Sequence, residues 1–364
     1  MNSADMEILM GLLASEGNKI VDDLKDSEIA VVLTCTVKTP TERKVLKRLM
    51  TIEKTKTPLI VAGCMPKAQE GLIESKLPNA TLLGPDNLGD IQEALHSTLN
   101  GIKKVYLNST PQDKTCLPRI RKNRTIHIQP ISSGCLGNCS YCIVKRARGG
   151  IHSFSYQGIL EDVKNSTKSG CKEIWITAED TAAYNDKGKD LTGLIRKIVG
   201  IDGEFRIRIG MMTPNQAQPL REDLVKIINH RKVYNFLHLP LQSGSNEILE
   251  KMRRKYTANS FLDLVKEFRE NIPRLTLSTD IICGFPGETE EQFMKSINIV
   301  KEIQPEVLNI SRFWPRPGTE AANLPQQVHG RITKERSRKL TLEWRNVAFQ
   351  KPPFGCLRSR GIGF

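Results

Sequence analysis

Cys135, Cys139 and Cys142 stand in the stretch Ser133-Gly134-Cys135-Leu136-Gly137-Asn138-Cys139-Ser140-Tyr141-Cys142, spaced C-x3-C-x2-C, and the next cysteine is Cys171. Three thiolates suit three irons of a [4Fe-4S] cube, because soft sulfur ligands match iron–sulfur clusters. The fourth iron is then open to a ligand that reacts. Ferredoxin-type carriers close their clusters with four cysteines at a different spacing. Zinc is the competing reading, but it takes four ligands. His127 and His152 are the nearby imidazoles, and neither has zinc-finger spacing.

The trio immediately follows a strand-like run, Ile126–Ile131. Further runs follow at Glu173–Ala178, Phe205–Met211, Asn235–Leu241, Thr276–Cys283 and Val307–Phe313. Helical spacing falls between them at Gly158–Lys168, Leu191–Val199, Arg221–Asn229, Asn246–Met252, Ser260–Glu270 and Thr289–Ile303. Six β/α repeats are too few for an eight-stranded barrel and predict an open, partial one. In such folds, sites form at the carboxyl ends of the strands. That is where the trio lies.

Upstream, residues 1–105 alternate helix and strand on a smaller scale. Helical spacing covers Asp5–Ala14, Pro40–Glu53 (with Thr41 placed to cap it) and Leu88–Leu99; strand runs cover Glu28–Val37, Pro58–Cys64 and Ala80–Leu83. This predicts a small α/β domain with a parallel sheet. Cys35 and Cys64 lie near the carboxyl ends of two of its strands. Residues 106–124 read as a linker, 125–345 as the barrel domain, and 346–364 as a divergent tail in which helical periodicity ends abruptly. Cys116 and Cys356 receive no role.

The chain has 364 residues, of which 39% are hydrophobic, enough for two packed domains. Its nine cysteines are unevenly spaced, and Met1–Ala14 has neither a basic n-region nor a cleavage site, so a disulfide framework is not expected. No apolar run approaches membrane-spanning length. The net charge of +14 favours a polyanionic partner, nucleic acid most simply, although a lysine-rich solvated surface gives the same number. No acidic residue occurs from Arg121 to Gly150, so Arg121, Lys122, Arg124, Lys145, Arg146 and Arg148 flank the trio as candidate phosphate contacts. Lys251, Arg253, Arg254 and Lys255 read as a solvated helix end.

C-x3-C-x2-C with an aromatic residue before the last cysteine, opening a partial β/α barrel, resembles radical S-adenosylmethionine enzymes. The runs Cys142–Gly149, Phe236–Ser245, Asp280–Thr289 and Arg316–Thr319 resemble the methylthiotransferases among them, as do Thr34–Val37 and Ala62–Pro66 in the first domain. Thr34–Glu42 and Glu179–Tyr184 narrow the likeness to the archaeal and eukaryotic branch, whose members methylthiolate N6-threonylcarbamoyladenosine in tRNA. The likeness covers residues 1 to about 345.

The resemblance implies S-adenosylmethionine on the open iron and the cofactor-derived chemistry of that superfamily. It also implies a second [4Fe-4S] cluster for which only Cys35 and Cys64 are visible, a tRNA substrate and a flavodoxin- or ferredoxin-like electron donor. The branch's membrane anchor is not found, so a cytoplasmic protein is expected.

Several residues become candidate cofactor contacts, each with a plainer alternative. Tyr141 stacks on a nucleobase or fills the core. Glu179 and Asp180 bind the amino group or ribose, or form a solvated turn. Arg206 and Arg208 share one face of their strand and meet the cofactor carboxylate if that face is the barrel interior. Gln242 and Ser243 hydrogen-bond the cofactor, or Ser243 or Ser245 caps a helix. Thr289 and Gln292 form a capping box.

Three departures stand out. The family's first N-terminal cysteine would fall just upstream of Met1, by alignment of Asn2-Ser3-Ala4-Asp5 with its usual neighbour. The C-terminal RNA-binding β-barrel is not found. The tail from Ala348 diverges. Rival functions are methylthiolation of isopentenyl-adenosine in tRNA or of a ribosomal-protein aspartate, and a non-catalytic RNA-binding remnant.

Overall fold

The computed structural model describes residues 1–107 and 110–348. The helix Gly330–Ala348 closes the described chain. Most of the expected tail, Cys356 included, lies outside the described residues.

The first unit is a parallel four-stranded sheet in the order β1 (Ala30–Thr34), β2 (Leu59–Gly63), β3 (Thr81–Leu83) and β4 (Val105–Tyr106). It continues into the stretch expected to be linker, because Val105 and Tyr106 pair with Leu82 and Leu83. β2 is buried throughout, as a central parallel strand must be. One face packs Ile8, Leu9 and Leu13 of the helix Asn2–Ser15, with Ile91 and Leu95, onto Ile60, Ala62 and Leu83. The other packs Leu49, Ile52 and Ile73 onto Leu59, Val61 and Leu82.

Thr41 does not cap the second helix. The helix begins at Thr39 with Pro40 in its first turn, where proline's fixed φ and missing N–H cost nothing. Thr41 is therefore already inside it.

The parallel sheets of the second unit are built from six strands, in sequence order: β5 (Ile126–Pro130), β6 (Glu173–Thr177), β7 (Arg206–Ile209), β8 (Phe236–His238), β9 (Thr276–Cys283) and β10 (Val307–Arg312). β5–β6–β7 and β8–β9–β10 are two parallel sheets. They join between β7 and β8 through Ile207 N to Lys232 O (2.7 Å), Tyr234 N to Ile207 O (2.9 Å) and Met212 N to His238 O (3.0 Å). No pairing between β5 and β10 is found among the described residues, so the barrel is partial and open. β8 is shorter than expected because Pro240 has no N–H to extend the ladder.

Along each strand, alternate side chains turn outward. Ile174, Ile176, Ile207, Ile209, Leu237, Leu277 and Ile281 join the core formed with helix residues such as Val163, Leu194 and Phe261. Trp175, Arg208, Phe236, His238 and Asp280 stand on the opposite, interior face.

The helix Glu290–Ile303 starts with the expected capping box: Thr289 Oγ1 accepts from Gln292 N (3.2 Å), and Thr289 N donates to Gln292 Oε1 (3.0 Å). Among the described residues no helix is long and apolar enough to cross a membrane.

Candidate functional site

Gly134 opens the cysteine loop with φ +77°, and a Cβ there would sit 2.0 Å from Gly150 O. Only glycine lets the chain leave β5 along this path. Farther along, Ser140 fastens the loop: its N–H reaches Met252 O (3.2 Å), its hydroxyl donates to Lys251 O (2.6 Å), and its carbonyl accepts from Ala321 N (2.8 Å).

Burial pushes Cys142 up to about 12, opposed by the Val144 N–H and Arg254, and burial also raises Cys135, opposed by the Gly137 N–H at 3.2 Å. Binding iron would displace protons from such thiols.

Gly137 keeps a side chain away from two of the sulfurs. A Cβ on Gly137 would stand 3.3 Å from Cys135 Sγ and 3.6 Å from Cys139 Sγ. Among the described residues, no three His, Cys, Asp or Glu groups are gathered to hold a single metal ion. His127 bonds Gln129 Oε1 (2.7 Å), and His152 packs edge-on to Phe154. A closed four-ligand zinc shell is therefore not formed. An all-sulfur trio on one loop, with side-chain-free Gly137 beside two of its members, fits three corners of a cluster.

Tyr141 sits edge-on to Phe285, 6.4 Å between ring centroids, beside Ile248 and Phe313. Glu179 and Asp180, just past the end of β6, are not a solvated turn. Asp180 is buried and accepts from Thr213 N (3.1 Å) and Thr213 Oγ1. Glu179 Oε1 pairs with Arg148 Nε at 3.2 Å, while its Oε2 is buried without a hydrogen-bond partner among the described residues. Burial raises the pKa of both carboxyls, opposed by Arg148 at Glu179 and by Thr213 at Asp180.

Arg206 and Arg208 both stand on the interior face. Arg206 is exposed, lies over the Tyr234 ring (4.5 Å) and donates to Val233 O (3.3 Å). Arg208 lies between Phe236 (4.4 Å) and Trp175 (5.5 Å). Gln242 adopts φ +71°, rare for a residue with a Cβ, and its backbone clasps β9 through Asp280 O (2.7 Å) and Ile282 N (2.9 Å). Ser243 is fully buried, its hydroxyl accepting from Ser245 N (3.2 Å). Neither serine caps the helix Asn246–Lys251 through its side chain.

Cys35 and Cys64 follow the adjacent ends of β1 and β2, where Thr34 pairs with Gly63. Gly63 has φ +94°, and a Cβ there would meet Thr34 O at 2.7 Å. Cys64 then starts the short helix Cys64–Ala68. That helix packs Cys64 and Ala68 onto Ile143 and onto Ala147 of the helix Val144–Arg148, directly after Cys142. The two cysteine sets thus meet at the junction of the two units.

Charged residues bind this junction. Asp5, fully buried, takes Lys114 Nζ at 2.7 Å and Arg148 Nη2 at 2.6 Å. Arg316 donates to Thr36 and Thr39 (2.9 Å each) and pairs with Glu42.

The expected basic flank therefore needs correcting. Arg148 is buried and paired, unavailable to a phosphate. Arg121, Lys122 and Arg124 precede β5, at the opposite end from the trio by roughly the 16 Å that five strand residues span. Lys145 and Arg146 remain exposed beside it. Sequence reading also missed Arg254, which donates to Cys139 Sγ at 3.2 Å. Its basic surroundings gave no signal of burial.

Comparison with known proteins bears on the family and the fold. Residues 130–300 match the radical SAM superfamily, and residues 1–84 match an uncharacterized family, UPF0004. A Pyrococcus horikoshii protein named "Probable threonylcarbamoyladenosine tRNA methylthiotransferase" is 43% identical over 343 residues, covering 93% of this chain and 80% of that protein. The mouse "Threonylcarbamoyladenosine tRNA methylthiotransferase" is 36% identical, covering 93% and 60% respectively. In fold, the chain is similar to the radical S-adenosylmethionine methyltransferase TsrM from Kitasatospora setae, with TM-score 0.67 and 14% identity over 87% of this chain and 73% of that one.

Proposed function

The chain belongs to the threonylcarbamoyladenosine tRNA methylthiotransferase family, and from that membership we propose that it transfers a methylthio group to C2 of N6-threonylcarbamoyladenosine in tRNA. The cluster and S-adenosylmethionine supply, when bound, the radical chemistry that activates an otherwise inert C–H bond.

The protein's own part is placement. Cys135, Cys139 and Cys142 hold the cluster at the carboxyl end of β5. Of the two carboxyls after β6, Asp180 is engaged with Thr213, so Glu179, with one buried oxygen unpartnered, is the one able to accept from the cofactor's amino group. Arg208 and Gln242 line the interior approach and Ser243 braces the turn beyond β8, while Arg206 marks the open amino end. Tyr141 packs the cluster loop against Phe285. Cys35 and Cys64 are ligands of a second cluster that serves sulfur insertion. The modified base leaves its loop to reach the site, as single-stranded RNA permits. Lys145 and Arg146 are the exposed cations beside it that a phosphate could meet. A flavodoxin- or ferredoxin-like donor and a cytoplasmic setting complete the reading.

The observation that carries it is the packing of the Cys64 helix on the helix after Cys142, which brings both cysteine sets to one junction. The test is anaerobic reconstitution, with iron and sulfide counted and S-adenosylmethionine cleavage to 5′-deoxyadenosine measured under reductant. Cleavage that depends on Cys139 supports the reading, and the iron count decides whether Cys35 and Cys64 bind a second cluster. A protein that binds tRNA yet never cleaves the cofactor is the non-catalytic remnant.

A further inference from the structure

Four cations crowd the segment Lys251–Lys255. Lys251, Arg253 and Lys255 are exposed, but Arg254 turns inward. The backbone forces this turn. The helix ends at Lys251, Arg253 takes the left-handed φ +56°, and Arg254 N then bonds back to Leu249 O (2.8 Å).

Its guanidinium is held from one side by Tyr256. Arg254 Nε donates to the Tyr256 hydroxyl (3.0 Å), which itself lies 2.8 Å from the carbonyls of Pro240 and Leu241, just past β8. On the other side Nη1 donates to Cys139 Sγ (3.2 Å). Nη2 is buried and has no hydrogen-bond partner among the described residues. A buried guanidinium N–H without an acceptor is costly, so the site offers a donor to something the chain does not itself supply. Ser140 fastens the Cys139 loop to Lys251 and Met252, so the loop is tied to the segment that carries the guanidinium.

We propose that Arg254 is a positioning and potential-setting residue for the cluster held by Cys135, Cys139 and Cys142; this rests on the reading of those cysteines as cluster ligands. Hydrogen bonds to cluster sulfurs are a principal control of cluster potential. One-electron reduction adds a negative charge to the cluster and breaks no bond. A cationic donor on a ligand sulfur stabilises the reduced form more than the oxidised form and raises the midpoint potential. The unpartnered Nη2 adds a second donor from the same planar fork.

The experiment is an anaerobic redox titration, monitored by electron paramagnetic resonance, of the full chain with reconstituted clusters and with dithionite as reductant. Wild type, Arg254→Lys, Arg254→Met and Tyr256→Phe are compared, with iron and sulfide counted in each. Arg254→Met should lower the midpoint by about 59 mV, a tenfold change in the reduced-to-oxidised ratio of a one-electron couple. Arg254→Lys should recover part of that, keeping the charge but losing the fork. Tyr256→Phe should shift in the same direction by less.

Equal midpoints at equal iron content would overturn the proposal. If Arg254→Met takes up no cluster, unchanged midpoints in Arg254→Lys and Tyr256→Phe overturn it. A wild-type chain without a cluster would instead remove the reading on which the proposal rests.

Discussion

Replacing Asp5 by Asn should be among the most damaging single changes outside the apolar core. Asp5 is fully buried and accepts two charge-assisted hydrogen bonds, from Lys114 at 2.7 Å and Arg148 at 2.6 Å. Burial alone would raise its pKa, but the two cations outweigh that and hold the carboxyl well below the usual carboxylate range. Asn keeps the shape and removes the charge. Arg148 then retains Glu179, whereas Lys114, also fully buried, is left without a counter-charge. Removing one partner of a buried pair costs roughly 3–5 kcal/mol, at least a hundredfold in the folding equilibrium. The assay is urea unfolding of wild type, Asp5→Asn, Lys114→Met and the double variant. The double variant should be more stable than the sum of the single losses implies, by roughly 1–3 kcal/mol of coupling, because it no longer buries an uncompensated ammonium. A loss below about 1 kcal/mol for Asp5→Asn, or strict additivity in the cycle, would refute the reasoning.

Other consequences are equally direct. Burial, with Arg119 nearby, pushes His127 down from its ordinary 6.5 to about 3. The unfolded chain then binds the proton more readily, so this stability is complete above 6.5 and is lost as pH falls through that value. By pH 5 about 2 kcal/mol should be gone from wild type but not from His127→Asn, in unfolding curves at pH 7.5 and pH 5. Gly134→Ala places a Cβ 2.0 Å from Gly150 O. It should lower reconstituted iron well below wild type while far-ultraviolet circular dichroism is retained. Glu42→Gln leaves the buried Arg316 without its carboxylate. It should cost roughly 3 kcal/mol and speed tryptic cleavage in 106–124, since this contact ties the two units together.

Much of the frame was legible because apolar periodicity is local. The strand Thr276–Cys283 and the helix Leu191–Val199 lie where their patterns place them. The trio's spacing carried the expectation of a cluster, and the surrounding runs revealed the family. What the pattern hides is the direction of charged side chains. Arg148 and Arg254 each sit among exposed cations, and only the fold shows them turned inward, Arg148 buried on Asp5 and Glu179, Arg254 half-buried on Cys139. Glu42 and Arg316 lie 274 positions apart in the chain, so no local pattern could pair them. Thr41 misled because a proline one residue earlier starts the helix sooner than a capping residue would.

The central claim is best tested on tRNA itself. The gene and its Cys139→Ala variant are expressed in a host whose tRNA carries N6-threonylcarbamoyladenosine without the methylthio group, and nucleosides are measured by mass spectrometry. The expected result is 2-methylthio-N6-threonylcarbamoyladenosine with the wild-type chain and none with the variant. Methylthiolation of isopentenyl-adenosine alone, or product that survives loss of Cys139, would contradict it.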